Sequence, residues 1–326
     1  MVIDTAQQLL NAALAVPLQR ATTALLARQG IELWIRRDDL LDAQLSGNKF
    51  YKLFFNLQAA RAQGFQQVIS FGGAYSNHLH ALAAAAHRYG MHAIGVIRGE
   101  RPAHLSPTLQ DAQARGMKLV FISRADYDRK TAADWLADLQ ARYGASYLIP
   151  EGGANLLGAR GMQLLGAALE QQTGGDYSAV CLPVGTGTSL AGLAAGVDRR
   201  KPVVGFSVLK GAGDLGGNVA AFYDALWRDW HEGAFTSPAS ASALAENWRL
   251  ISGFHGGGYA KKMSAMMFAF WQGFERETGI PLDPVYTIKM VWGISSLAQQ
   301  GYWPRGSRLV AIHTGGLQGR RGFNCP

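Results

Sequence analysis

The chain has 326 residues, of which 48% are hydrophobic and 17% are charged, and its formal net charge is +8 at pH 7. This length supports a sizeable core, and the low charged fraction argues against intrinsic disorder. The positive charge invites a nucleic-acid hypothesis, but the 22 arginines and 9 lysines form no basic run and no patch with aromatic residues. We therefore expect no nucleic-acid partner and interpret the charge as a weak attraction for an anionic cofactor or substrate.

The cysteines and the amino-terminal segment indicate the cellular compartment. Cys181 lies in an apolar run and Cys325 lies beside the C-terminus, which is no disulfide framework and suits a reducing environment. Residues 1–16 lack the basic start and long apolar core of a signal peptide and have the pattern of an amphipathic helix. The longest apolar stretches are too short to span a bilayer. These features predict a soluble, cytoplasmic protein with no membrane partner.

Strand-like and helix-like segments alternate along the chain. The patterns predict strands at 31–35, 67–71, 93–97, 118–122, 147–149, 178–184, 203–208 and 308–312. They predict helices from 49 to about 64, from 76 to about 90, at 106–116, 131–143 and 156–171, from 190, and at 216–231, 262–277 and 286–299. Surface loops are predicted at 236–244 and 256–259. This alternation is typical of an α/β fold with mostly parallel sheets covered by helices on both faces, and two sheets are expected because roughly ten strands strain one open sheet.

Lys49 is the first candidate for chemistry. Gly47 and Asn48 read as a turn that feeds a helix, with Asn48 as the N-cap and with apolar Phe50 and Leu53 at helical spacing. Lys49 then lies in the first helical turn, where the helix dipole disfavours a cation. A desolvated lysine loses its proton and becomes a nucleophilic amine, whereas the alternative is an ordinary solvated surface lysine.

A glycine-bearing loop after the strand at 178–184 is the second candidate. Backbone N–H groups and the helix dipole at such a loop favour a bound phosphate. The loop lacks the lysine of a Walker motif and the three-glycine spacing of a dinucleotide fingerprint. An ordinary tight turn is the alternative for the loop alone. Its residues are Gly185, Thr186, Gly187, Thr188 and Ser189.

Polar residues also follow the strand at 67–71, at a helix start where functional side chains gather in α/β folds. Ser76, Asn77 and His78 lie there, although a plain serine N-cap is the alternative. His78 and His80 are two apart on one helix and point to different faces, and no cluster of ligands has metal spacing, so no metal site is predicted. The absence of a Gly-x-Ser-x-Gly elbow argues against a serine hydrolase.

Together, a helix-start lysine, a phosphate-ready loop and polar strand ends suit pyridoxal phosphate. This cofactor needs an amine for a Schiff base, a cradle for its phosphate and a partner for its ring nitrogen. Five ordered motifs extend the match: Arg37-Asp38-Asp39-Leu40; Ser46-Gly47-Asn48-Lys49 with Lys52-Leu53; Ser76-Asn77-His78; Asp283-Pro284-Val285-Tyr286; and His313-Thr314-Gly315-Gly316. With these motifs the chain, from about residue 15 to 318, resembles the 1-aminocyclopropane-1-carboxylate deaminase/D-cysteine desulfhydrase family. This is a family of tryptophan-synthase-β-like, fold-type II pyridoxal enzymes.

The resemblance implies a two-lobed α/β fold in which a small lobe, 48–159, is inserted into a large lobe made of 1–47 and 160–326. Each lobe would be a mostly parallel sheet covered by helices, and a homodimer is the family expectation. Lys49 would carry the cofactor and later move the substrate Cα proton, and Ser76 would meet the substrate carboxylate or assist proton transfer. The implied cofactor-binding residues are Lys49, Asn77 at the phenolic oxygen, residues 185–189 at the phosphate, and Thr314. The implied substrate-binding residues are Ser76, Asn77, His78, Tyr259, Tyr286 and Thr287. Both tyrosines would flank the substrate and would belong, with Lys49 and Ser76, to the catalytic residues; core or rim tyrosines are the alternative.

Two positions distinguish the activities within the family. Deaminases resemble one another in a Glu after the Tyr of the Asp-Pro-Val-Tyr motif and a Leu within the final His-x-Gly-Gly, whereas this chain has Thr287 and Thr314, the pattern of desulfhydrases. A carboxylate keeps the ring nitrogen protonated, and a neutral hydroxyl holds a pyridinium less firmly. The prediction is α,β-elimination of D-cysteine to pyruvate, ammonia and sulfide. Deamination of 1-aminocyclopropane-1-carboxylate, or action on another small D-amino acid, is the alternative, and Tyr75, in place of an expected glutamine, can change the accepted substrate.

Two other classes of protein stay open. A dehydrogenase or other nucleotide-binding enzyme would require a glycine fingerprint after the first strand with an acidic residue about twenty positions on, and neither is seen. A catalytically silent protein that binds an anion or an amino acid on the same fold is the third hypothesis, because a fold does not guarantee an activity.

Overall fold

The protein, represented by a computed structural model, is described over residues 2–209, 213–230, 246–258 and 263–323. In these ranges the helices are α1 (Ala6–Leu14), α2 (Ala24–Gln29), α3 (Asn48–Ala62), α4 (Asn77–Arg88), α5 (Pro107–Ala114), α6 (Arg124–Asp128), α7 (Ala133–Tyr143), α8 (Leu156–Thr173), α9 (Thr188–Gly196), α10 (Leu215–Trp230), α11 (Ala265–Thr278) and α12 (Thr287–Gln299). Short 3₁₀ turns occupy Asp38–Leu40, Glu151–Gly153 and Leu317–Gly322. None of the helices described is both long enough and apolar enough to cross a membrane.

The strands form two sheets, as the alternating pattern predicts. The strands are β1 (Leu18–Arg20), β2 (Glu32–Arg36), β3 (Gln67–Gly72), β4 (His92–Arg98), β5 (Lys118–Ile122), β6 (Tyr147–Leu148), β7 (Ala179–Val184), β8 (Val203–Ser207), β9 (Trp248–Ile251) and β10 (Arg308–Ile312). Six form the large sheet in the order β1-β2-β10-β7-β8-β9, and four form the small sheet in the order β5-β4-β3-β6. Every pair is parallel except β1 with β2. The small sheet falls inside the segment 48–159, whose exact bounds as a lobe stay a prediction.

Apolar side chains bury both faces of each sheet. One cluster joins the inner faces of the two sheets through α3, α4, α8 and α9. A second covers the other face of the large sheet beneath α2, α11 and α12, and a third lies between the small sheet and α6 and α7. Strand β7 is buried along its whole length, as expected for a parallel strand covered on both faces. The predicted α/β class is therefore confirmed.

The predicted elements agree with the structure to within a few residues, with instructive exceptions. Strands β1 and β9 were not predicted because both are partly exposed edge strands without a continuous apolar run. The prediction of Asn48 as an N-cap is wrong, because Gly47 is the N-cap, with φ +67°, and Asn48 is the first residue of α3. The loop predicted at 236–244 lies outside the described residues.

A buried ion pair lies beneath the start of α3 and explains the role of Asp38 in the first of the five motifs. Arg36 Nε lies 3.2 Å from Asp38 Oδ2, and both side chains are fully buried. The hydroxyl of Tyr51 donates to Asp38 Oδ1 at 2.6 Å, and the backbone N–H of Gly47 donates to the Asp38 carbonyl at 2.9 Å. The Asp38 side chain and backbone therefore connect β2 to the turn that starts α3. The motif thus fixes the position of the helix start that carries Lys49.

Candidate active site

The candidate site lies where the carboxyl ends of β3, β7 and β10 meet the amino terminus of α3. Gly47 has φ +67°, and a Cβ placed on it would lie 2.0 Å from the Thr314 carbonyl oxygen. A glycine is therefore required for α3 to start this close to the turn that follows β10. Thr314 itself is buried. The second and fifth motifs are thus neighbours in space, although more than 260 residues separate them in the chain.

Lys49 is the second residue of α3 and so lies in the first helical turn, as predicted. Its Nζ donates to Asn48 Oδ1 at 3.1 Å, and the residue keeps part of its surface accessible. Burial of the amine lowers the pKa of Lys49 from 10.5 to about 8, although the charge of Asp283 partly opposes the shift. A far larger neutral fraction exists near neutral pH than for a solvated lysine, which makes this amine a usable nucleophile and base.

The side chain of Asn48 connects Lys49 with the glycine-bearing loop. Asn48 Nδ2 donates to the Ser189 hydroxyl at 3.0 Å, while Asn48 Oδ1 accepts from Lys49. The N-cap of α9 is Gly187, with φ +87°, and no side chain caps this helix. Thr188 and Ser189 are buried in its first turn. The asparagine thus connects the amine with a helix start whose N–H groups suit an anion.

Lys52 is a second lysine near this loop, and sequence reasoning gave it no role. Its Nζ donates to the Gly152 carbonyl at 3.1 Å, and only 2% of the residue is exposed. A Cβ on Gly152 would lie 3.5 Å from Thr186 Cγ2, so the lysine reaches the glycine-bearing loop through Gly152. Burial, together with the charge of Lys49, holds the pKa of Lys52 well below its usual range. Lys52 lies three residues after Lys49 on the same face of α3, and this spacing in the sequence could have indicated that both lysines serve one site.

The ring of His78 points away from solvent, toward Ser70 and Gly153. Ser70 donates its hydroxyl to the Ile149 carbonyl at 2.7 Å, so the 2.8 Å contact with His78 Nε2 is one that Nε2–H donates. Nδ1 is then a buried acceptor with no hydrogen-bond partner among the described residues. Burial holds the pKa of His78 well below its usual range, with the charges of Lys49 and Lys52 acting in the same direction. The predicted contact of His78 with substrate stays a prediction.

Ser76 and Asn77 begin α4 at the carboxyl end of β3. Ser76 is the N-cap, and its hydroxyl accepts the Leu79 N–H at 3.2 Å, so the plain capping role is present. Asn77 Oδ1 accepts a hydrogen bond from Gln318 Nε2 at 2.8 Å. Both residues keep part of their surface accessible. The amino terminus of α4 therefore faces the turn after β10.

Tyr286 and Thr287 lie at the start of α12, and Tyr286 lies beside the glycine-bearing loop. A Cβ on Gly185 would lie 3.6 Å from Tyr286 Cε1, which places that ring beside the loop. Thr287 is fully buried, and its hydroxyl donates to the Asp283 carboxylate. The same carboxylate accepts the N–H groups of Val285 at 3.0 Å, Tyr286 at 2.9 Å and Thr287 at 2.7 Å. Asp283 thus caps the start of α12.

The remaining predicted residues are placed as follows. Tyr259 lies outside the described residues. The ring of Tyr75 packs against the carboxyl-terminal turn, since a Cβ on Gly322 would lie 2.4 Å from Tyr75 Cε1. Across the described part of the chain, no group of three or more His, Cys, Asp or Glu residues could hold a metal ion.

A family model described as "Pyridoxal-phosphate dependent enzyme" matches residues 13–315. The chain belongs to this family. A Thermotoga maritima protein, provisionally named 1-aminocyclopropane-1-carboxylate deaminase, is 31% identical over 304 residues, covering 90% of this chain and 91% of the relative. A Yersinia pestis D-cysteine desulfhydrase is 27% identical over 298 residues, covering 88% and 87%. A crystal structure described as an ACC deaminase homologue superposes with a TM-score of 0.79 at 26% identity, covering 94% of this chain and 90% of that one.

These similarities confirm the fold-type II resemblance and identify pyridoxal phosphate as the cofactor of this enzyme. The site fits it. Two of the helices that begin there, α3 and α9, follow a glycine with positive φ and have no side-chain cap, whereas α4, which also begins there, is capped by Ser76. Residues 185–189 and Lys52 would hold the phosphate, and Lys49 would offer its amine. When bound, the cofactor supplies an electron sink for charge that develops at the substrate Cα.

The pKa of Lys49 predicts how the apo-enzyme takes up its cofactor. Below about pH 8 the amine is mostly protonated and lacks the lone pair needed to attack an aldehyde. We expect the rate of pyridoxal phosphate capture, followed by stopped-flow absorbance, to rise with pH and to level off above about 8. A rate that keeps rising to about pH 10, near the pKa of an ordinary lysine, would show that the amine is not desolvated.

Proposed function

We propose that this enzyme catalyses the α,β-elimination of D-cysteine. One molecule each of D-cysteine and water would give pyruvate, ammonia and hydrogen sulfide. The proposal is supported by the desulfhydrase pattern at Thr287 and Thr314 and by the similarity to the Yersinia pestis D-cysteine desulfhydrase. The relatives named as deaminases keep 1-aminocyclopropane-1-carboxylate as the second candidate.

The hydrogen bonds around Thr287 support the choice of D-cysteine over the cyclopropane. Thr287 occupies the position where the deaminases have a glutamate, and its hydroxyl donates to Asp283. The Asp283 carboxylate already accepts hydrogen bonds from the N–H groups at the start of α12. This segment therefore presents no uncommitted carboxylate to keep a pyridinium protonated, which would weaken the electron sink. Expulsion of thiolate, a good leaving group, demands less of that sink than opening a cyclopropane does.

The roles of the chain's own groups follow from their positions. Lys49, with its lowered pKa, would take the Cα proton and hold it at Nζ beside Asn48. The amino terminus of α4, at Ser76, would bind the substrate carboxylate, because its N–H groups and dipole favour an anion. Tyr286, beside Gly185, would flank the substrate and exclude water. Sulfur would leave with the electron pair of the Cβ–S bond.

A panel of small amino acids tests the proposal. The holoenzyme would be assayed for keto-acid release from D-cysteine, L-cysteine, β-chloro-D-alanine, D-serine and 1-aminocyclopropane-1-carboxylate. We expect pyruvate from D-cysteine and β-chloro-D-alanine, with sulfide equimolar to pyruvate for D-cysteine. Turnover of L-cysteine and of the cyclopropane should be lower by about tenfold or more in kcat/KM.

Other outcomes of the panel would replace the proposal. Faster release of 2-oxobutyrate from the cyclopropane would identify a deaminase, and pyruvate from D-serine alone would identify a different D-amino acid lyase. A cofactor-loaded protein that releases no keto acid from any of the five compounds would be a silent binding protein.

A further inference from the structure

The carboxyl-terminal turn Leu317–Gly322 contacts the candidate site through Gln318. This residue follows β10 of the large sheet, whereas Asn77 begins α4 beside the small sheet. Gln318 Nε2 donates to Asn77 Oδ1 at 2.8 Å. We propose that Gln318 is a positioning residue that determines which end of the Asn77 carboxamide faces the cofactor. The inference rests on the proposed role of Asn77 at the phenolic oxygen and extends it.

A carboxamide has one accepting end and one donating end, so fixing one end fixes the other. Because Gln318 occupies Oδ1, the amino group Nδ2 is the end left to donate. The Asn77 amino group lies close to Gly316, which has φ +88°, and a Cβ at position 316 would lie 2.3 Å from Asn77 Nδ2. Glycine at position 316 therefore leaves room for the Asn77 carboxamide. A phenolate oxygen can only accept hydrogen bonds, so it is served by Nδ2 and repelled by Oδ1. The hydrogen bond from Gln318 thus orients Asn77 so that its donating amino group can face the accepting oxygen of the cofactor.

The turn is held at one end by β10 and at the other end by the contacts of two arginines, so the backbone at Gln318 has a defined position. Arg320 bonds to Glu275 of α11, at 3.1 Å for one Nη–Oε contact, and to the Leu282 carbonyl at 3.0 Å. Arg321 forms an ion pair with Asp111 of α5, on the side of the small sheet. Gln318, between these anchors and β10, is partly buried. The turn therefore holds the glutamine amide at a defined distance from α4.

Two substitutions separate polarity from packing. Gln318→Glu keeps the shape but can only accept, so Asn77 must turn Nδ2 toward position 318 and Oδ1 toward the cofactor oxygen. Gln318→Leu removes the partner without imposing an orientation. We expect the Kd of the apo-enzyme for pyridoxal phosphate, from tryptophan fluorescence, to rise about tenfold in Gln318→Glu and under about threefold in Gln318→Leu. The visible absorbance maximum of the holoenzyme should shift only in Gln318→Glu.

An Asn77→Ala background provides the control. There Gln318→Glu and Gln318→Leu should bind the cofactor equally, because the effect acts through Asn77. Thermal unfolding of each variant verifies that it folds. Equal effects of the two substitutions in the Asn77 protein, or a milder effect of Gln318→Glu, would overturn the inference, since packing alone or the reverse amide orientation predicts them. Wild-type apo-enzyme that fails to bind pyridoxal phosphate would instead contradict the role given to the whole site.

Discussion

Replacing Lys49 with alanine should abolish the visible absorbance of the purified enzyme and lower kcat by about 10²–10⁴-fold or more. Lys49 is the amine placed beside the glycine-bearing loop, and its lowered pKa makes it both nucleophile and base. Lys52, the other lysine at this loop, is committed to the Gly152 carbonyl, so it should not take over the task. Absorbance spectra and keto-acid assays of the purified variant measure the two effects.

Lys201→Ala is the matched control for this prediction. It removes the same charge from a lysine whose Nζ donates to the Tyr177 carbonyl at 2.9 Å, remote from the carboxyl ends of the strands. That variant should keep the visible band and its activity. If Lys49→Ala keeps the band, or if both variants lose it, Lys49 is not the residue that carries the cofactor.

Replacing Arg36 with methionine should lower the free energy of unfolding by about 3–5 kcal/mol. The substitution leaves the Asp38 carboxylate without its cation, although 0% of the Asp38 side chain is exposed to solvent. Arg36 also donates to the Ala13 carbonyl at 2.6 Å and to Gln172 at 2.7 Å, so these acceptors lose their partner as well. Urea unfolding followed by circular dichroism measures the change.

The exposed pair between Arg129 and Asp134 gives the comparison. Its atoms lie 2.7 Å apart, closer than those of the buried pair, but its side chains are 51% and 71% exposed. Arg129→Met should therefore cost less than about 1 kcal/mol, because water screens the charges in the folded protein. Equal losses for the two arginine variants would show that the ion pair under α3 does not support the turn at Gly47.

Local patterns predicted the framework of the fold, and they did so for a physical reason. Parallel strands covered on both faces are continuous apolar runs, so β7 and β10 could be located from the sequence, whereas the edge strands β1 and β9 carry no such run. Capping preference alone placed Asn48 before the helix. The close approach of Gly47 to Thr314, which only the folded chain contains, assigned that position to glycine instead.

The site was predictable in its motifs but not in the contacts between them. Lys49 and the loop at 185–189 could be chosen from residue type and spacing. The bond from Asn48 to Ser189 joins residues 141 positions apart, and the bond from Lys52 to Gly152 joins residues 100 apart. Gln318 lies 241 positions from Asn77. No periodicity encodes such pairs, because they depend on how the two sheets are placed relative to each other.

The ion pairs of the carboxyl-terminal turn also restrict movement of the small sheet relative to the large sheet. Arg320 holds the turn to α11, and Arg321 holds it to α5, so adjacent residues grip the two halves of the molecule. Any outward rotation of the four-stranded sheet would have to stretch the contact with Asp111 or drag the turn along. The carboxyl-terminal turn is in this sense a tether between α11 and α5, and separating these two helices would require breaking one of its ion pairs.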